Sequence, residues 1–155
     1  PIPIKCIFVG DFVSFGPTDA NYTQEKQLIK DVSQKLFDST SFCAGAAFYG
    51  YKLPDMNPTV LQNSITCTKN AFDTLVDSLV IDTTNDPEMA AELDLGGVEP
   101  LSALSYTSLV TVGYNGTDTQ TLLPAGSVGT AVTVPFMYTA DDVDSIVSAV
   151  KKGFQ

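Results

Sequence analysis

The residues of this chain best suited to chemistry are three cysteines, its first residue Pro1 and several runs of carboxylates. Cys6, Cys43 and Cys67 are odd in number, and no two have the C-x-x-C spacing of a zinc or redox site. Cys6 and Cys43 stand in apolar, strand-like runs and Cys67 in a helix-like pattern. All three therefore read as buried free thiols rather than as one disulfide and a spare. Pro1 carries a secondary amine, which would serve as a base near neutrality in a buried site that lowered its pKa. Asp82, Thr83, Thr84, Asn85 and Asp86 crowd oxygen donors together as a calcium loop does. An EF-hand needs Gly at its sixth place and Glu at its twelfth, where this run has Pro87 and Leu93. Asp86 is better read as the cap of a following helix, and Asp141, Asp142 and Asp144 as the first turn of another. Asp73 and Asp77 read as a solvated helix face, and Tyr49, Tyr51, Tyr106, Tyr114 and Tyr138 as packing on or near strands. Asn21-Tyr22-Thr23 and Asn115-Gly116-Thr117 fit the N-glycosylation sequon, which matters only in a secreted protein.

The residue types that are missing narrow the chemistry further. There is no His, no Arg and no Trp. Without His the chain lacks the side chain that titrates near neutrality unaided, the commonest metal ligand and the commonest general base. Without Arg it lacks a bidentate clamp for carboxylate or phosphate. The reading therefore leans away from an enzyme, and calls for no cofactor and no metal. Net charge is −10, and between residues 53 and 149 the only lysine is Lys69. Neutralisation of phosphates drives nucleic-acid binding, so nucleic acid is not an expected partner, nor is an anionic membrane surface. No apolar run approaches membrane length, so membrane insertion is not expected. The opening at Pro1, with no visible signal peptide, points to removal of an initiator Met or of a longer pro-segment.

The elements that must position these residues follow from periodicity. Residues 2–9 form an apolar run expected to be a buried strand, and residues 10–22 a loop. A helix is expected over 24–38, capped by Asn21 or Thr23, with Leu28, Ile29, Val32 and Leu36 inward and Lys26, Lys30 and Lys35 towards solvent. A second strand is expected over 42–51, its Ala44, Gly45, Ala46 and Ala47 allowing a helix to pack closely. Asn57 and Pro58 start a long helix expected over 58–80, along the stripe Leu61, Ile65, Thr68, Phe72, Leu75, Val76 and Leu79. A short helix after Asp86 stops at Gly96 and Gly97. Residues 106–114 and 117–123 read as a hairpin about Asn115 and Gly116, and 130–138 as a further strand, placed at an edge or bulged by Pro135. The C-terminal helix is the clearest element: Thr139 caps it, Val143, Ile146, Val147 and Val150 line it, Lys151 and Lys152 suit its end, and Gly153 stops it. The expectation is a single α+β domain over 1–155, with a mixed sheet covered by two or three helices.

Pro1 and Ile2 opening an apolar strand, Gly10 after it, and the helix Gln24-Glu25-Lys26-Gln27-Leu28-Ile29-Lys30-Asp31-Val32 together resemble the first β–α unit of the tautomerase superfamily. That resemblance implies Pro1 as catalytic base in an enzyme acting on enol or keto acids. It also departs from the family: a long loop follows Gly10, no second copy of the unit appears, and the substrate-binding arginines are absent. The reading preferred from composition is a non-enzymatic structural or interaction protein in a multi-copy assembly, such as a virion decoration, tube or connector subunit. Its partners would be copies of itself or other structural subunits. The low charged share, 17%, and the Thr/Val/Gly-rich last third motivate it. A secreted module binding a glycan or a protein is the other alternative, expected to carry sugars on Asn21 or Asn115, or a disulfide.

Overall fold

The computed structural model describes residues 2–12, 20–50, 63–80, 109–114 and 129–154. The chain has an α+β fold whose strands pair in parallel, and it forms two compact units, Pro1–Ala103 and Leu104–Gln155.

In the first unit, strand β1 (Ile4–Phe12) leads through helix α1 (Ala20–Ser39) to strand β2 (Phe42–Gly50). The two strands are parallel, in register from Ile4 opposite Phe42 to Phe12 opposite Gly50. Parallel neighbours need a long crossover, which α1 supplies. This is the expected β–α–β opening with shifted bounds: β1 runs from Ile4 on to Phe12 and α1 starts at Ala20, so residues 10–12 and 20–22 of the expected loop belong to a strand and a helix. Asn21 and Thr23 thus lie inside the helix and neither caps it. Tyr22, Leu28, Ile29, Val32 and Leu36 form its buried stripe. Ser33 is also fully buried, and its hydroxyl donates to the Lys30 carbonyl at 2.9 Å, so no polar group there is orphaned.

The long helix expected over 58–80 is corrected. Among its described residues the helix proper is α2, Lys69–Ser78, and residues 65–68 are not helical. Thr66 instead lies antiparallel to β2, exchanging both backbone hydrogen bonds with Ala44 at 2.8 Å each. Thr68 has the extended backbone of a cap residue, φ −125° and ψ 140°, and its carbonyl accepts from the Phe72 amide at 3.1 Å. Phe72 is the hub of the core. Its ring centroid lies 5.5 Å from that of Phe8 and 6.1 Å from that of Phe37, and Phe37 meets Phe42 edge-on at 4.9 Å. Four phenylalanines thus join β1, α1, β2 and α2, each pair adding about 0.5–1.5 kcal/mol to the burial of its area.

In the second unit, β3 (Leu109–Tyr114) and β4 (Gly129–Val134) are parallel, in register from Leu109 opposite Gly129 to Tyr114 opposite Val134. The expected turn at Asn115 and Gly116 and its returning strand 117–123 lie outside the described residues. The strand expected over 130–138 ends at Val134, so Pro135 terminates it rather than bulging it. Helix α3 (Ala140–Lys152) follows, and its start and burial are as its sequence dictates. Thr139 and Asp142 form a reciprocal capping box: the Asp142 carboxylate accepts from the Thr139 amide at 2.7 Å, and the Thr139 hydroxyl accepts from the Asp142 amide at 3.4 Å. Val143, Ile146, Val147, Ala149 and Val150 are buried. The helix closes at Gly153, whose φ of −66° is right-handed.

Candidate functional site

The most constrained cluster in the described residues surrounds the outer edge of β2. Cys43 and Cys67 form a disulfide, with Cα atoms 4.0 Å apart at a sequence separation of 24. This corrects the expectation of three free thiols. The geometry follows from the antiparallel bridge. Ala44 and Thr66 are a hydrogen-bonded pair, so Cys43 and Cys67 fall opposite one another at the adjacent non-hydrogen-bonded position, where side chains approach most closely. Cys43 is buried and Cys67 exposed.

One step the other way along the bridge, Ile65 falls opposite Gly45. A Cβ on Gly45 would lie 2.7 Å from the Ser64 hydroxyl oxygen, 3.1 Å from Ile7 Cδ1 and 3.3 Å from Ile65 Cγ1. Glycine in the middle of a strand here marks a close approach of neighbouring side chains. Within the described residues, the small side chains of β2 therefore accommodate residues 64 and 65, not only a helix.

Cys6 is the free cysteine. It is in register with Ala44, so strand alternation places it on the sheet face opposite Cys43. The same face carries Phe8, which packs on Phe72 of α2. Desolvation pushes the Cys6 thiol up to about 12. It is thus a neutral, poorly nucleophilic thiol at physiological pH, on the wrong side of the sheet to attack the disulfide.

Two side chains tie α1 to α2 and its C-terminal end. Lys30 pairs with Asp77, and Lys26 donates from Nζ to the Leu79 carbonyl at 2.8 Å. Lys69 pairs with Asp73 one turn along α2. Lys26 and Lys30 are therefore bridging groups rather than solvent-directed ones, and Asp73 and Asp77 are ion-pair partners rather than a merely solvated face. Sequence reasoning missed these roles, because each link between the helices joins residues about 50 positions apart.

Asp141 and Asp142 sit in the first turn of α3 as expected. Pro1, the oxygen-rich run 82–86, Asn115, Tyr51 and Tyr106 lie outside the described residues. Among the described residues no group of three His, Cys, Asp or Glu side chains could hold a metal ion, and no helix is long and apolar enough to cross a membrane. The cluster at β2 can pin a chain segment to a sheet edge. Its thiol chemistry is that of a formed disulfide, with a neutral, half-buried thiol on the other face of the sheet. No protein-family model and no curated protein sequence matches the chain.

Proposed function

We propose that the chain is a non-enzymatic interaction module that folds and works in an oxidising compartment. The Cys43–Cys67 disulfide carries this reading. Disulfides persist in secreted, luminal and surface proteins and are removed by the thiol pools of the cytosol. The absence of His and Arg from the sequence supports an interaction role over catalysis. Acidity and the scarcity of lysine over residues 53–149 favour a protein or neutral glycan partner over a polyanion. The test is a thiol count on protein recovered from its natural source and denatured without reductant. One reactive thiol, Cys6, is expected; three would end the reading.

A multi-copy assembly is the second reading. It is favoured by the low charged share, 17%, which leaves less of the surface held in water by ions. Light scattering on the size-exclusion peak at two salt concentrations tests it. A ring, filament or larger oligomer supports it, and a monomer at micromolar protein overturns it.

A further inference from the structure

We propose that Asn21 is an N-glycosylation site, carrying an oligosaccharide on its side-chain amide nitrogen. The inference rests on the exported reading above and adds a modified residue to it. Three observations bear on it. The first is the sequon itself, Asn21-Tyr22-Thr23, with threonine at the third place and no proline at the second. The second is the disulfide, which is chemically independent of the sequon and is the observation on which the exported reading rests.

The third is the place of the sequon in the fold. The helix starts upstream of Asn21, so helix capping, the ordinary reason for Asn or Thr at such a position, does not account for either residue. Asn, Tyr and Thr in succession are all weak helix formers, yet they occupy the first turns of a helix 20 residues long. Tyr22 accounts for itself, because it is fully buried in the core. With Tyr22 turned inward, Ala20 and Thr23 are exposed and Asn21 is half-buried at the margin of the buried stripe. A bulky polar group on Asn21 can leave the surface there without displacing Tyr22.

The chemistry is a group transfer from a lipid-linked oligosaccharide diphosphate, the activated sugar donor. The amide nitrogen Nδ2 of Asn21 forms a bond to the anomeric carbon of the first sugar. The bond from that carbon to the diphosphate oxygen breaks, and the departing lipid diphosphate takes up the proton that the amide loses. No oxidant or reductant is involved.

The experiment is secretion of the full chain from a eukaryotic cell, followed by intact mass and peptide mapping before and after amidase release of N-glycans in heavy-oxygen water. The expected result is a mass excess that the amidase removes, leaving heavy-labelled Asp at position 21. Asn21→Gln should lose that excess. Thr23→Ser should keep it and Thr23→Ala should lose it, which separates a sequon effect from a folding defect. An unmodified Asn21 peptide in protein whose Cys43–Cys67 disulfide has formed overturns the glycan and leaves the exported reading standing. So does sugar found on Asn115 alone. Unmodified Asn21 together with free Cys43 and Cys67 thiols overturns both.

Discussion

Replacing Cys43 and Cys67 together by alanine removes the covalent link while leaving the Ala44–Thr66 backbone pair in place. The two cysteines are 24 residues apart in sequence, and the chain-entropy relation for a loop of that size gives about 3.5 kcal/mol at 25 °C. That is a large part of the 5–15 kcal/mol, roughly, that separates a folded domain from its unfolded chain. With a urea m-value on the order of 1.5 kcal/mol per molar, the unfolding midpoint should fall by about 2 M, and the slope should steepen because the unfolded chain without its cross-link is more expanded. Reducing the unaltered protein with a dithiol should give a fall of the same size. The serine pair should be worse than the alanine pair by about 1–3 kcal/mol, because position 43 is buried and a hydroxyl there must find a partner. Hydrogen exchange supplies the local readout, since the Ala44 and Thr66 amides each donate to the other residue's carbonyl. They should exchange faster in the alanine pair, while those of Cys6 and Phe8 within β1 keep their relative order. A midpoint shift below about 0.5 M, with both amides still protected, would show that the latch holds without its disulfide and would refute the reasoning.

Four further outcomes follow from the same packing. Phe72→Ala should cost about 3–5 kcal/mol in urea unfolding, since the ring is fully buried and touches Phe8 and Phe37, whereas Phe72→Leu should cost clearly less. Gly45→Val should destabilise by about 1–3 kcal/mol, with Ser64→Ala restoring part of the loss, because the Ser64 hydroxyl is the group nearest the added Cβ. Lys30→Ala should cost no more than about 0.5 kcal/mol, because its partner Asp77 is 60% exposed and the pair is screened. The folded-state pKa of Cys6 is raised to about 12 from an ordinary 9.0, so the unfolded chain gives up this proton first. Stability is unaffected by Cys6 below about pH 9 and should fall as pH rises from there towards 12; Cys6→Ala should flatten that fall in a denaturation series.

The parts of the fold that the sequence makes legible are those specified by neighbouring residues. Helix α3 is the clearest case: cap, acidic first turn, apolar stripe, basic last turn and terminal glycine all lie within residues 139–153. The β1–α1–β2 unit is nearly as plain, because two apolar runs and one amphipathic stripe need only each other. The stretch before α2 is different. Its apolar spacing continues the stripe of α2 backwards through Ile65, and nothing in that spacing says that the Thr66 backbone belongs to Ala44, 22 positions earlier. Two local signals did point there. Thr66, Cys67 and Thr68 form a row of weak helix formers, and Gly45 stands inside an apolar strand without a turn to explain it. The disulfide was hidden for the same reason, since a pairing over 24 residues depends on strand register, which no short window contains. The links from Lys26 to Leu79 and from Lys30 to Asp77 likewise exist only once α1 and α2 lie side by side.

The placement of Cys6 and Cys43 on opposite faces of the β1–β2 pair also bears on how the chain is oxidised as it is made. Cys6 and Cys43 emerge first, and Cys67 follows 24 residues after Cys43, so a wrong Cys6–Cys43 bond has an interval in which to form. Once β1 and β2 are paired through α1, the sheet lies between the two thiols, and the backbone pleat holds them apart. Cys6 lies on the face that packs against α2, and Cys43 on the other face, where the Ala44–Thr66 bridge brings Cys67 opposite it. In the folded chain the parallel register thus bars a Cys6–Cys43 bond by geometry and leaves Cys67 as the partner within reach of Cys43.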